Sequence, residues 1–558
     1  MRVIIARVRK MCYNSPMQRE DYPIPNFIRP HFKSLDGEWK VALFEENGSQ
    51  NYTIELPCEL GSKASGINDL TNVHTAVYEK TFEINSSEKT GTTLLNFISI
   101  SSYCEIYLNE ILVAQNGGSM HSLHFDVSLI IKEGENLLRV VTKRNVGELV
   151  PLGILGEVWL EFSAKSYFGT IRTFGSLRDK NIYIQGAVAG ETEGYKVKVE
   201  IAYNKKPVAT YEYRAKPILN LSANLKTQTV YLWQALEPRF YEVRISLYNV
   251  GGGLCDQIYT YCAFRDVNLV DNKLYINGLP TFVRAIEVDG VYPHTGIVPA
   301  SSKAIAQDYA AAMMMGFNAI HFNRYPTPRE LYVADKLGLM VRASLNGESK
   351  NTDIPESFNN FATEIQMTLN RDFGHPSLII EVPFINYSGS AVVQDSTYKL
   401  IKQTDPTKLC SMSGGDLYAT DLYEFREESG KREEIEDWLI YRYNGIKLSE
   451  KEDQKRRKQK PELITENKLR TMPFYLGSFI AGNLRANDQY SEARFISNYA
   501  EQYDLISASG AVGFTFSRLC DQGESKNGLL TANRDFKISR DGIAKLRAIN
   551  KKKAYGEQ

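Results

Sequence analysis

The feature that most constrains this chain is a helix–strand alternation with short links in its second half. KAIAQDYAAAMMMG (303–316) reads as a helix closed by Gly316, and FNAIHF (317–322) as a buried strand. PRELYVADKLG (328–338) reads as a helix stopped by Gly338, and LMVRASL (339–345) as the next strand. Such alternation requires a parallel sheet, because parallel neighbours need a crossover and the helix supplies it. Residues 266–558 have the length of one closed (β/α)8 TIM barrel. Barrel chemistry sits at the carboxyl ends of the strands, so the residues there are the candidates for function.

The first half has a different period. VYEKTFEI (77–84) and YCEIYLNEILVAQ (103–115) alternate apolar and polar residues, as half-buried strands do. LHFDVSLIIKEGENLLRVVT (123–142) sets a Gly-containing turn between two apolar runs. The expected order is an N-terminal extension (1–18), a β-sandwich jelly roll (19–165), an immunoglobulin-like β-sandwich (166–265) and the C-terminal barrel (266–558). KVKVEIAY (196–203) and FYEVRISLYNV (240–250) are the clearest strands of the second sandwich. In the extension, the apolar run Val3–Ala6 is too short for a signal peptide, and Met17 is an alternative start. EESGKREEIEDW and LSEKEDQKRRKQK, within 427–460, interrupt the barrel pattern as solvated helix or loop.

Charge narrows the functions. The 66 basic and 66 acidic residues cancel, so no electrostatic footprint for nucleic acid or an anionic membrane is present. The seven cysteines are scattered, with no CxxC pair and no His at metal spacing, which points to a reduced, cytoplasmic chain. No cofactor or metal is expected, and no apolar run approaches the length that spans a bilayer.

Five stretches, in order, resemble glycoside hydrolase family 2, which contains β-galactosidases and β-glucuronidases. YPIPNFIRPHFKSLDGEWKV (22–41) is similar to the family's opening, and LGILGEVWLE (152–161) to the close of its sugar-binding domain, with Gly156 where an Arg is usual. LWQALEPRFYEV (232–243) resembles the middle domain, FRDVNLVDNKLYINGLPTFVRAI (264–286) the entry into the barrel, and NGLLTANRDFK (527–537) the segment after the last catalytic strand. The resemblance implies a retaining O-glycosyl hydrolase that acts on carbohydrate and assembles as a homo-oligomer. Such an enzyme uses two carboxylates about 5 Å apart, one a nucleophile and one an acid/base.

The resemblance puts Glu466, in KPELITENK (460–468), at the nucleophile position, although Asn467-Lys468 replace the usual aromatic-Gly. The acid/base is expected ten and eleven residues after His375, as an Asn-Glu pair, and the chain reads Ile385-Asn386 there. Asn386 can neither donate a proton as a carboxylic acid does nor act as a useful base. Glu381 lies five residues upstream of Asn386, an odd step that turns it to the opposite face of an extended strand. Glu287 and Asp289, after the first barrel strand, are candidates to bind substrate or replace the missing acid, and Glu348 is a lesser one. In NAIHFNRYP (318–326) the family's Arg and His have exchanged places as His321 and Arg324, and Arg426 stands where a His is usual. His321, Arg324 and Arg426 are therefore expected to line the substrate pocket.

Three readings follow: a hydrolase with weak or altered activity, a catalytically inactive pseudoenzyme that binds carbohydrate or a protein partner, and a structural subunit. The uronic-acid clamp that the resemblance would place late in the chain is absent, and Lys526-Asn527 is the nearest, reversed match.

Overall fold

The computed structural model describes residues 22–89, 91–101, 103–116, 121–145, 151–225, 229–347, 355–384, 390–412, 420–426 and 472–554. The N-terminal extension and the charged stretch 427–460 lie outside them. The alternating runs of the first part pair into two main antiparallel sheets. One has four strands in the order Phe32–Ser34, Val158–Ser163, Thr92–Phe97 and Leu123–Asp126. The other has six, in the order Gly48–Leu56, Gly37–Glu45, Thr75–Ile84, Gly134–Lys143, Tyr103–Leu108 and Ile111–Asn116. Period-two patterning turns Trp39, Val41, Tyr78, Ile106 and Leu138 inward to a shared core. The run 103–115 is a hairpin, turned by Asn109 and Glu110 at φ 51 and 67.

A second sandwich follows. Tyr167–Ser176, Asn181–Ala189 and Ile218–Asn224 form one sheet; Lys206–Arg214, Lys196–Tyr203, Tyr241–Tyr248 and Leu254–Cys262 form the other. Its core holds Ile182, Val197, Val243 and Ile258.

The barrel closes from eight parallel strands: β1 (Val283–Glu287), β2 (Ala319–Phe322), β3 (Met340–Gly347), β4 (Leu378–Phe384), β5 (Leu409–Met412), β6 (Leu422–Arg426), β7 (Phe474–Phe479) and β8 (Gly513–Phe516). β8 pairs back onto β1, Gly513 opposite Val283. A Cβ at Gly513 would stand 2.3 Å from the Val283 carbonyl oxygen, so that close approach requires glycine. The helices expected at the start of the barrel are α1 (Ser302–Met314) and α2 (Pro328–Leu337). α2 starts with a capping box between Thr327 and Glu330 and ends at Gly338, whose φ of 74 is left-handed.

Strand parity sorts the barrel's side chains. Ala285, Ala319, Met340, Ile380 and Val382 join Trp233, Leu274 and Ile276 in the core that fills the lower barrel. Ile286, Ile320, Val341 and Phe514 pack outward with the helices.

Buried polar contacts fix the three parts together. Arg29 pairs with Glu161 of the jelly roll and, at 3.0 Å, with Asp256 of the second sandwich. Asp335 on α2 accepts from Tyr261 Oη at 2.5 Å and from the Ser377 amide at 2.8 Å, and its other oxygen-to-nitrogen contact, to His375 Nδ1, is 2.6 Å. Trp233 Nε1 donates to the Asp335 carbonyl at 3.0 Å. The jelly-roll loop 59–64 is tied to the loop after β1 by Glu59 N to Thr295 O (3.1 Å) and Ala64 N to His294 O (2.9 Å). A jelly-roll loop thereby stands beside the barrel mouth.

Candidate active site

Two polar layers occupy the upper barrel. The deeper one centres on Arg342 of β3, which is fully buried. Its guanidinium pairs with Glu424 of β6, and Nη1 is 3.0 Å from both ring nitrogens of His321 on β2. Ser411 of β5 donates to Glu424 at 3.2 Å, and Arg342 lies over the Tyr475 ring at 4.9 Å. His321 is thus part of an internal ionic layer and is fully buried. Buried charges persist only when paired, and here each partner comes from a different strand.

The upper layer lies where β1, β7 and β8 end. Ser478 Oγ of β7 is 2.8 Å from Ser517 Oγ, which donates to Glu287 Oε2 at 2.5 Å. Arg518 sits between two carboxylates, 3.0 Å from Glu287 Oε1 and 3.2 Å from Asp289. It also donates to Gln522 Oε1 at 2.5 Å. Burial, and then the adjacent Glu287 charge, push the Asp289 carboxyl up to about 7, and Arg518 opposes the rise. Near neutrality the Asp289 carboxyl is therefore present in both its protonated and its ionised form, so it can donate as well as accept a hydrogen bond.

A cavity of about 500 Å³ opens beside this layer. The jelly-roll loop from Glu59 to Lys63 forms one wall; Asp289, Tyr292, Gln522 and Arg534 are on the others. Its volume is in the range of small-molecule sites.

The structure brings Glu287 and Asp289 together, as neighbours at the mouth. It places His321 one layer deeper. Arg324 is held away from both by Glu330 of α2, at 2.6 and 3.0 Å, and by the Gly290 and Tyr325 carbonyls. Arg426 ends β6 in register with Ser478. Asn386, Glu466 and Glu348 lie outside the described residues. The seventh barrel strand is Phe474–Phe479, downstream of Glu466 in the chain.

Glu381 faces the helices, as do its register partners Ala343 and Cys410 on the neighbouring strands. It is fully buried, 3.7 Å from Lys408, and neither carboxylate oxygen has a hydrogen-bond partner. Burial pushes its carboxyl up to about 8, against the pull of Lys408 and with the nearby Asp405 and Asp372 adding to the rise.

Sequence reasoning missed Arg342, Glu424, Ser478, Ser517 and Arg518. The first two carried a signal: a charge inside each of the apolar runs LMVRASL and LYEF marks a buried, paired position. The serines carried none.

Residues 65–150 match the family model described as glycosyl hydrolase 2 galactose-binding domain-like, and residues 267–543 match the glycosyl hydrolases family 2 TIM barrel domain. Among solved structures, the β-glucuronidase of Ruminococcus gnavus in complex with D-glucuronic acid is similar, with a TM-score of 0.75 at 16% identity over 95% of this chain and 99% of that one. The β-D-glucuronidase of Dictyoglomus thermophilum gives 0.75 at 17% identity over 96% and 100%. A β-galacturonidase from Eisenbergiella tayi, bound to glycerol, gives 0.75 at 16% over 94% and 97%. At such identities the likeness is one of fold. The two family models, in order and together spanning most of the chain, establish that this protein belongs to glycoside hydrolase family 2.

Proposed function

We propose that this chain is a carbohydrate-binding member of the family in which the two-carboxylate hydrolytic machinery is no longer assembled. The observation that carries the reading is the end of β7. Pro473, the apolar Phe474-Tyr475-Leu476 and then Gly477-Ser478-Phe479 follow the pattern expected around the nucleophile, with Ser478 in the carboxylate's place. On this reading Asn386 occupies the acid/base place, and Glu466 precedes the strand that would have to present it.

Loss of an acid/base alone costs about 10²–10⁴ in rate. Loss of the nucleophile as well removes the glycosyl-enzyme route. The Ser478 hydroxyl is a poor substitute, because its partner is another hydroxyl and the Glu287 behind that is neutralised by Arg518. Glu287 and Asp289 remain as groups that bind sugar hydroxyls. The reading takes a carbohydrate as ligand and needs no cofactor. Its neutral net charge supports no nucleic-acid partner, its free cysteines support a cytoplasmic setting, and self-assembly follows the family resemblance. No helix of the described chain is long and apolar enough to cross a membrane.

The test is turnover of activated aryl β-glycosides, with and without azide, by the wild type, Glu466→Gln and Ser478→Glu. An aryl leaving group needs no acid, and azide needs no base. Background turnover in the wild type and in Glu466→Gln, with azide-accelerated turnover in Ser478→Glu, is the expected result. Azide-accelerated turnover by the wild type that disappears in Glu466→Gln would overturn the proposal.

A further inference from the structure

We infer that Lys336 is a covalent modification site, whose amine condenses with a short hydroxyaldehyde, such as an open-chain triose, that enters a cavity between α2 and the second sandwich. The site is independent of the carbohydrate reading above. It lies at the other end of the barrel from the mouth, since Lys336 is in the last turn of α2, just before β3 begins.

Three ring faces surround Lys336 Nζ: Phe240 at 4.2 Å, Tyr261 at 4.6 Å and Tyr332 at 5.3 Å from the ring centres. Among the described residues the amine has no hydrogen-bond acceptor and no carboxylate within ion-pair distance. Its neighbour Asp335 is turned instead to Tyr261, Ser377 and His375. Other lysines of the barrel differ: Lys402, Lys408 and Lys537 face carboxylates at 2.9, 3.1 and 2.9 Å. Rings attract the charge of an ammonium but leave its N–H donors to whatever fills the space beside them.

That space is a cavity of about 200 Å³. Ile28, Tyr203 and Tyr259 supply apolar wall, and Asn204, Arg239 and Glu242 supply donors and acceptors. It is smaller than the sites that take drug-sized molecules, so it admits a molecule of a few heavy atoms, and its polar groups suit one that carries hydroxyls.

Burial pulls the Lys336 amine down to about 8, against the charges of Asp335 and Glu242, which raise it. The remaining titratable or charged groups around it are Tyr332 on its own helix and Arg239 and Tyr261 of the second sandwich. The lone pair of the neutral amine attacks the aldehyde carbon, a C–N bond forms, and a proton passes from nitrogen to the carbonyl oxygen. The resulting carbinolamine loses water as the C=N bond forms. On taking up a proton the imine returns a cation to the same three ring faces, with one N–H in place of three.

The experiment treats the full chain with glyceraldehyde and cyanoborohydride, which reduces each imine to a stable amine, and follows every lysine by peptide mapping and mass spectrometry at pH 7 and pH 9.5. At pH 7 Lys336 should be modified about tenfold or more faster than the median lysine, because an ordinary lysine amine, near about 10.4, is far less deprotonated there. The advantage should fall several-fold at pH 9.5, where ordinary amines lose their protons too. Dextran aldehyde, a polymer that the cavity cannot admit, should label exposed lysines and spare Lys336. In the chain unfolded by guanidinium chloride Lys336 should react like the rest. A rate at or below the median in the folded chain, an advantage that pH leaves unchanged, equal labelling by the polymer, or an advantage that persists on unfolding each overturns the inference, and none of them touches the carbohydrate reading.

Discussion

Replacing Glu381 by Gln should remove a pH-dependent weakness from the barrel. Glu381 is fully buried on the helix side of β4, and neither of its oxygens is hydrogen-bonded. Its one nearby cation, Lys408, is 3.7 Å away and also serves Asp405 at 3.1 Å, while Asp372 and Tyr325 complete the surroundings. The folded chain therefore holds the Glu381 proton up to about pH 8, against 4.5 in the open chain. The group's favourable contribution is full below pH 4.5 and is lost as the pH rises to about 8, because only the unfolded state gains by releasing the proton. At 1.36 kcal/mol per pH unit the whole window amounts to about 3–5 kcal/mol. In a domain of this size that is about 6–10 °C in melting temperature. Gln keeps the shape and cannot ionise. Calorimetric melting of both proteins at pH 5, 6, 7 and 8 should show the wild type losing that much more than the variant across the range. Parallel curves would refute the argument, since they would mean that Glu381 titrates alike in both states.

The ionic layer inside the barrel should be intolerant of halves. Arg342→Met leaves Glu424 buried beside an apolar side chain and should cost about 3–5 kcal/mol, read as a lower melting temperature, with Glu424→Gln in the same chain recovering part of it. Gly338→Ala places a Cβ 2.8 Å from Pro238 Cδ and 2.9 Å from Leu236 N at a left-handed φ of 74, so it should destabilise by about 2 kcal/mol or more, measured by urea denaturation.

Much of this architecture is local information. The helices 302–314 and 328–337 carry their own start and stop signals, Ser301 and Thr327 before them and Gly316 and Gly338 after. The period-two runs around Tyr78, Ile106 and Val197 state which face is buried wherever they are placed. Asp335 is the acceptor that joins α2, the entry to β4 and Tyr261 of the second sandwich, a role that no local pattern announces. The closeness of Glu287 and Asp289 is local information as well, since the first ends β1 and the second lies two residues on.

The composition of the site was not local. Two stretches carry a proline, an apolar run and a short polar tip, one around Glu466 and one around Ser478, and nothing in either chooses between them. The pairing of Phe474–Phe479 with β6 on one side and β8 on the other makes it the seventh strand. Likewise, a charge in LMVRASL and another in LYEF each announce that a partner is needed, but only closure of the barrel sets Arg342 against Glu424, 82 residues away. The sequence by itself determined the elements, their buried faces and their order, because periodicity, caps and turn residues act over a few residues. The tertiary structure alone decided which side chains meet at the mouth, because barrel closure and strand register bring Ser478, Ser517 and Glu287 together from β7, the end of β8 and β1.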